Sequence, residues 1–370
     1  MDDSEKGVHR PNGREQREFF LSRKKNLAVS LLLLCGCYTA VLYPAYFPRE
    51  AKAWRQDGLA QRREEGLLNR SAGLLSRACR PGWSRERLRA VYPGRLPLAV
   101  PVFLRDVGGE QRLSPPLGLR GSEERAAAAL RSLPQSGLAP SLAAGGCRRC
   151  VVVGSGGILL GSRLGDHIDQ HDVIIRMNSA PVSGFERDAG SRTTIRLTYP
   201  EGAPHSPREY TNTSLVALAV FKSSDLDWLT GVVAQKPLGW WTRLWFWQEV
   251  VDSIPLRPEN FRILNPEIIR ETREVLLGLS EAPGHQGSHS KMVPTLGASA
   301  VVMALQLCDE VSLAGFGYDL QHSDTPLHYY ESLHMDAIKV QVVHDVSMEK
   351  TFLRELVGAT VLNDLTGGLT

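Results

Sequence analysis

A long uncharged, apolar stretch lies near the N-terminus. Residues 27–47 carry no charged side chain, and Tyr43, Tyr46 and Phe47 stand at the far end of the stretch. A helix of about 20 residues spans the hydrocarbon core of a bilayer, and aromatic side chains favour its interface with water. The pattern therefore predicts one transmembrane helix over residues 27–47.

The flanking charges predict the orientation of this helix. Arg17, Arg23, Lys24 and Lys25 precede it closely, whereas fewer basic residues follow it. Because the more basic flank stays in the cytoplasm, residues 1–26 form a cytoplasmic tail and the rest of the chain is lumenal. A cleaved signal peptide is the alternative, but the apolar run is longer than a signal core of about 7–15 residues.

Beyond this helix the pattern changes twice. Residues 48–78 are polar and charged without a sustained apolar stripe, which predicts a lumenal stem, and the catalytic domain is predicted over residues 79–370. Within it, short apolar runs typical of buried strands alternate with helical periodicity. The predicted strands are 151–153, 173–176, 193–198, 215–221, 261–264 and 311–314, and the predicted helices are 123–133, 225–234, 266–279, 298–307 and 347–357. This alternation predicts an α/β fold with a mostly parallel sheet.

Composition narrows the class of protein. The net charge is only +3, so nothing requires a nucleic-acid partner. The lumenal cysteines are Cys79, Cys147, Cys150 and Cys308. A zinc site around the Cys-x-x-Cys pair would need two further ligands at paired spacing, so disulfides are favoured in an oxidising lumen. Glycosylation sequons begin at Asn69 and Asn212.

A glycine-rich turn follows the first predicted strand of the domain. Residues 151–157 read Val-Val-Val-Gly-Ser-Gly-Gly. Glycines let backbone N–H groups approach a phosphate, which indicates a nucleotide site. The third glycine of a dinucleotide fingerprint is missing, and a turn without a ligand is the alternative. Thr295 is predicted to cap the helix that follows it, so the N-terminus of this helix is a second candidate anion site; capping without a ligand is the alternative.

Histidines and aromatic residues are the remaining candidate functional groups. His328 follows a predicted strand end, and His344 opens a polar segment. Histidine titrates near neutral pH, so it suits proton transfer at a sugar hydroxyl; an ordinary surface histidine is the alternative. The cluster of tryptophans at 240–247 indicates stacking on a base or sugar, or core packing.

Together these motifs resemble the animal sialyltransferases, glycosyltransferase family 29. Residues 150–196 resemble the family's large donor-binding motif, and residues 265–317 contain its small motif. His328-Tyr329-Tyr330-Glu331 resembles the third motif, and His344 with Glu349 resembles the very small motif. The resemblance implies a single Rossmann-like, GT-A-variant domain anchored in the Golgi membrane.

The resemblance also implies roles for individual residues. His344 would be the general base, and His328 would contact the phosphate of the leaving CMP. The implied disulfides are Cys79–Cys147 and Cys150–Cys308, and no metal is implied. The residues expected to bind the donor, CMP-sialic acid, are Ser155, Gly156, Asn178, Phe246, Trp247, Thr295, Gly297 and Gly317.

The acceptor is expected to end in galactose. Segments 154–159, 198–204, 243–247 and 312–320 resemble the branch of the family that acts on lactosylceramide, through an inverting transfer to the galactose 3-hydroxyl. Asp188 and Glu331 resemble the glycoprotein-type branch instead, so N-acetyllactosamine is the alternative acceptor. A homodimer is a further expectation.

Two other classes of protein fit fewer of these features. A nicotinamide-dependent oxidoreductase would use the glycine-rich turn, with Asp172 as its acidic residue, but lacks the fingerprint glycine. A lumenal glycan-binding protein would explain the aromatic residues but neither His328 nor His344.

Overall fold

The computed structural model describes residues 58–94, 96, 98–108, 112–134, 137, 146–279, 292–317, 326–333 and 345–369. The predicted cytoplasmic tail and transmembrane segment lie outside these residues. Within the described ranges, no helix combines the length and apolarity needed to cross a bilayer.

A parallel sheet of seven strands forms the centre of the domain, in the order β5-β4-β3-β2-β1-β6-β7. The strands are β1 Arg149–Val153, β2 Val173–Met177, β3 Thr193–Thr198, β4 Thr213–Leu218, β5 Phe261–Ile263, β6 Glu310–Ala314 and β7 Leu362–Asp364. Every neighbouring pair is parallel. The predicted α/β fold with a parallel sheet is confirmed. Strand β4 ends at Leu218 rather than at the predicted residue 221, and the short, partly polar β7 was not predicted.

Helices cover the sheet. They are α1 Gly58–Leu75, α2 Trp83–Val91, α3 Glu123–Ser132, α4 Gly165–Asp169, α5 Glu186–Ala189, α6 Ser223–Val233, α7 Trp240–Arg243, α8 Pro266–Leu279, α9 Leu296–Leu307 and α10 Val346–Gly358. The five predicted helices correspond to α3, α6, α8, α9 and α10, with ends that differ by at most a few residues.

Alternating side chains of β1 divide the core into two layers. Cys150 and Val152 pack into the cluster that contains most of α9, whereas Val151 and Val153 pack into the cluster on the opposite face. Successive strand residues point to opposite faces, and here both faces are covered. This explains why β1 is a continuous apolar run.

Helix α1 lies inside the segment predicted as a stem, 48–78. Leu67 packs into a core cluster of the domain, and Glu64 forms an ion pair with Arg163. The compact unit begins at Gly58. The boundary predicted at residue 78 is therefore too far along the chain. The apolar face of α1 is too narrow to stand out among the arginines and glutamates around it.

Two disulfides connect distant parts of this unit. Cys79 and Cys147 are joined across a Cα–Cα distance of 5.8 Å. Cys150, on β1, is joined to Cys308, at the end of α9, with 6.0 Å between the Cα atoms. Both expected pairings are present, and the second fixes the most buried helix to the sheet.

Candidate active site

The sheet order reverses direction at β1. Strands β2 to β5 extend from one side of β1, whereas β6 and β7 extend from the other. In parallel α/β sheets such a switch point opens a crevice at the carboxyl ends of the strands, where ligands bind. Here Gly154 follows β1 and Gly315 follows β6. The two loops that these glycines begin form the floor of the candidate site.

Close backbone packing explains the glycines at this crevice. A Cβ atom on Gly154 would lie 2.6 Å from the Gly315 carbonyl oxygen, and one on Gly156 would lie equally close to it. Gly315 itself has a φ of +73°, which disfavours any side chain. The Gly156 N–H donates to the Gly315 carbonyl at 3.0 Å. Gly156 therefore joins the two loops and does not line the cavity above them.

A cavity of about 550 Å³ opens above these loops. Six of the eight predicted donor-binding residues line it, and so does His328: the six are Ser155, Asn178, Trp247, Thr295, Gly297 and Gly317. Gly156 and Phe246 do not. The Phe246 ring is buried, with the Lys222 ammonium 4.6 Å from its centre. Among the other predicted aromatic residues, Trp240, Trp241 and Trp245 point to solvent and lie outside the cavity lining.

His328 is held against the glycine loop by its neighbours. Its Nδ1 donates to Glu331 Oε2 at 2.8 Å, and its ring stacks on Tyr330 with a centroid distance of 5.3 Å. The backbone at His328 forms a β-bridge with Gly156. Burial raises the pKa of Tyr330, so the phenol beside the imidazole stays neutral. With Nδ1 engaged by the carboxylate, Nε2 is the ring nitrogen left for a ligand.

Thr295 connects two helices at the wall of the cavity. Its Oγ1 accepts the Ala298 N–H at 3.2 Å, as the predicted cap of α9. The Thr295 N–H and hydroxyl both donate to the Glu349 carboxylate on α10, at 2.7 and 2.5 Å. The first residues of α9, Leu296 and Gly297, line the cavity. The positive end of a buried helix therefore faces the site, which favours an anionic ligand.

Asn178 adopts a left-handed backbone, with a φ of +49°. The buried guanidinium of Arg196 donates to the Asn178 carbonyl at 2.7 Å and pairs with Glu209 at 3.4 Å. The Asn178 side chain meets the loop at Gly202, where a Cβ would lie 2.5 Å from the amide oxygen. These contacts fix the strand end from which Asn178 reaches the cavity.

An ion-pair cluster that the sequence did not reveal forms another wall. Lys222 Nζ lies 2.8 Å from Glu201 Oε1 and 2.8 Å from Asp225 Oδ1, and both carboxylates are fully buried. Lys222 and Glu201 line the cavity. Burial works to lower the pKa of Lys222, but the two carboxylates outweigh it and raise that pKa. Lys222 follows the carboxyl end of β4, which was the only signal available.

Asp188 has a structural role. Its carboxylate accepts the N–H groups of Gly161 and Arg163, both at 2.8 Å. It is absent from the cavity lining. Asp188 therefore fixes a turn, and Glu331 positions His328, so neither residue by itself indicates the acceptor.

His344 lies outside the described residues. The next residue, Asp345, caps α10 by accepting the Met348 N–H at 2.9 Å, and Val346 lines the cavity. Within the described ranges, no group of three or more His, Cys, Asp and Glu side chains is arranged to hold a metal ion.

Comparison with known proteins identifies the family. The model of glycosyltransferase family 29 (sialyltransferase) matches residues 107–361. The chain belongs to this family. The sialyltransferase is 45% identical over 300 residues to the lactosylceramide alpha-2,3-sialyltransferase of Homo sapiens, covering 80% of this chain and 72% of that protein. It is 42% identical over 307 residues to the CMP-N-acetylneuraminate-beta-1,4-galactoside alpha-2,3-sialyltransferase of Mus musculus, covering 82% and 81%.

A solved structure supports the fold of this sialyltransferase. The crystal structure of a mammalian sialyltransferase matches with a TM-score of 0.60 at 26% identity, covering 78% of this chain and 98% of that one. The chain is therefore a glycosyltransferase that uses CMP-sialic acid, and the cavity at the switch point is its candidate active site.

Proposed function

We propose that this sialyltransferase transfers sialic acid from CMP-sialic acid to the 3-hydroxyl of the terminal galactose of lactosylceramide, which forms ganglioside GM3. The names of relatives at 43–45% identity support this acceptor. The alternative is a β-galactoside on glycoproteins or glycolipids, such as N-acetyllactosamine, supported by relatives at 42% identity.

The arrangement of His328 is the observation that carries the donor half of this proposal. Its ring lies at the cavity wall, is oriented by Glu331, and is joined through Gly156 to the loop after β1. An Nε2–H on this ring would donate to the CMP phosphate. Negative charge builds on that phosphate as the bond to the sugar breaks, and a positioned donor stabilises it.

His344 is the proposed general base. It takes the proton from the galactose 3-hydroxyl while that oxygen bonds to the anomeric carbon of sialic acid. The bond from this carbon to the CMP oxygen breaks, and CMP leaves with the electron pair. Attack from the face opposite CMP inverts the anomeric centre. The position of Val346 in the cavity wall, two residues further along the chain, supports this role.

We also propose that transfer requires no metal. The charge on the leaving phosphate would be met by His328 and by the N-terminus of α9.

One assay decides between the acceptors. Purified enzyme receives CMP-sialic acid with lactosylceramide or N-acetyllactosamine in parallel, each with and without excess chelator. We expect a higher kcat/KM for lactosylceramide and equal rates in both buffers. Preference for N-acetyllactosamine would support the alternative, and loss of activity restored by manganese would refute metal independence.

For the whole chain we propose a single-pass type II protein of the Golgi membrane, with residues 1–26 cytoplasmic and residues 27–47 as the anchor. Both sequon asparagines, Asn69 and Asn212, are exposed, as glycosylation in the lumen requires. Protease treatment of intact vesicles should spare the catalytic domain, and its digestion would refute this orientation.

A further inference from the structure

Exposed apolar side chains concentrate in one short segment. Within the described residues, nine large apolar side chains are exposed, and five of them lie between positions 240 and 247. We define the aromatic patch as Trp240, Trp241, Leu244, Trp245 and Trp247, whose exposed fractions range from 62% to 73%. Single exposed apolar residues are ordinary, whereas a contiguous group of this kind marks an interaction surface.

The patch is held outward by its own neighbours. Phe246, in the middle of the segment, is buried in the core cluster and lies under Lys222. Arg243 forms an ion pair with Asp252 at the base of the segment. The rings of Trp240 and Trp241 stack on each other with centroids 3.6 Å apart. Because Phe246 already anchors the segment, the tryptophans are not needed for folding of the core.

The patch continues into the active-site cavity. Trp247 belongs to both, since it is exposed and also lines the cavity. The next residue, Gln248, donates from Nε2 to the Glu201 carbonyl, and Glu201 lines the cavity as well. A partner surface that binds the patch would therefore also lie beside the opening of the cavity.

Few residues separate the proposed anchor from the folded unit. The folded unit begins at Gly58, and the proposed anchor ends at residue 47, so residues 48–57 form the whole connection. Ten residues reach at most about 35 Å when fully extended. A domain of this size has a diameter of about 50 Å. The proposed anchor would therefore keep the first folded residue within about 35 Å of the bilayer.

We propose that the aromatic patch docks on the interface of a zwitterionic bilayer and presents the headgroup of a lipid acceptor to the cavity. Tryptophan favours the headgroup level because its ring is apolar and its N–H is polar. The charges in the sequence around the patch are mixed, with Lys236 and Arg243 basic and Glu249 and Asp252 acidic. Arg243 also pairs with Asp252, and this balance favours insertion of rings over attraction to anionic lipid. Presentation of the headgroup rests on the proposed acceptor, and the reach of the patch to a bilayer rests on the proposed anchor, whereas the exposed apolar surface rests on neither.

The first experiment measures turnover of the full-length enzyme in phosphatidylcholine vesicles that contain lactosylceramide. We expect the triple variant W240S/W241S/W245S to raise the KM for lactosylceramide about tenfold, because binding at the interface scales with the apolar area inserted. Transfer to lactose, a soluble acceptor, should stay within about twofold of wild type, since these residues do not line the cavity. The matched variant W240F/W241F/W245F keeps apolar rings and should behave like wild type with both acceptors. An unchanged KM for lactosylceramide in the serine variant, or equal losses with both acceptors, would overturn the proposal.

The second experiment tests docking without any acceptor. Phosphatidylcholine brominated on its acyl chains quenches tryptophan at the interface. Wild-type fluorescence should fall more strongly than that of W240F/W241F/W245F, which lacks three of the four patch tryptophans but retains Trp247 and the tryptophans outside the patch. Equal fractional quenching in the two proteins would show that the patch does not contact lipid. If wild type is quenched more strongly than this variant but does not turn over lactosylceramide, the proposed acceptor is wrong and the docking surface stands.

Discussion

At the residue scale, Lys222 combines a structural role with a position in the cavity wall. It is the cation that both buried carboxylates of its cluster share, Glu201 and Asp225. Burial raises the pKa of Asp225 even with Lys222 beside it. The stability of this wall therefore depends on one ammonium group.

We predict that Lys222→Met lowers the free energy of unfolding by about 3–5 kcal/mol at neutral pH, because it leaves buried carboxylates unpaired. Without the ammonium, the folded-state pKa of Asp225 rises further above its unfolded value. The folded state then binds the extra proton, so its stability falls as pH rises and recovers as pH falls. Denaturant unfolding at neutral and mildly acidic pH measures this. Lys222→Arg, which keeps the charge, is the control, and an equal loss at both pH values would contradict the role of Asp225.

A second prediction at this scale concerns His344. His344→Ala should reduce kcat by about 10²–10⁴-fold, the range typical of a lost general base, while the KM for CMP-sialic acid changes little. His328→Ala should also lower kcat, but through weaker stabilisation of the leaving phosphate. Steady-state kinetics with matched thermal unfolding curves separates chemistry from folding. A His344→Ala enzyme within tenfold of wild-type turnover would exclude His344 as the base.

At the element scale, the site depends on how α9 and α10 are joined at their N-termini. Thr295 caps α9 and donates to Glu349 on α10. The same residue lines the cavity. One hydroxyl therefore couples a helix cap, a contact between helices and the end of α9 that lines the cavity.

Thr295→Ala should cost about 1–2 kcal/mol of stability, the usual effect of losing a side-chain cap. It should also raise the KM for CMP-sialic acid, because the end of α9 loses its fixed position. Thr295→Ser keeps the hydroxyl and should be close to wild type in both measurements. If the serine variant were as unstable as the alanine variant, packing of the threonine methyl group would be the cause instead.

At the scale of the whole molecule, the two disulfides constrain loops of different length. Cys150 and Cys308 lie 158 positions apart in the sequence, whereas Cys79 and Cys147 lie 68 positions apart. A disulfide constrains the unfolded chain more strongly when it closes a longer loop. Through this loop effect, C150A/C308A should lower the free energy of unfolding by about 0.7 kcal/mol more than C79A/C147A does. Cys150 and Cys308 are also fully buried, whereas Cys79 and Cys147 are half-buried.

Graded reduction with dithiothreitol, followed by peptide mapping, shows which of the two disulfides opens first. The half-buried bridge should open first, with activity retained, because a reducing thiolate needs access to the sulfur. The buried bridge should open only together with global unfolding. Early reduction of Cys150–Cys308 in enzyme that remains active would contradict its role between α9 and β1.

The sequence alone determined the class of fold, and its resemblance to the sialyltransferases implied the two disulfide pairings that the structure contains and six residues that line the cavity. The buried parallel strands are rich in apolar residues, and the glycine turn, the helix cap and His328 each depend on residues close together in sequence. Short-range patterns of this kind are visible in the sequence because the geometry of strands, turns and caps depends on neighbouring residues.

Only the tertiary structure decided which of these residues meet. It showed that Phe246 is buried while Trp247 faces the cavity, and that Gly156 packs on Gly315. It also paired Lys222 with Glu201 across 21 positions and added α1 to the domain. These outcomes depend on which surfaces cover one another after the chain folds. A pattern of apolar and polar positions marks a buried residue but does not name its partner.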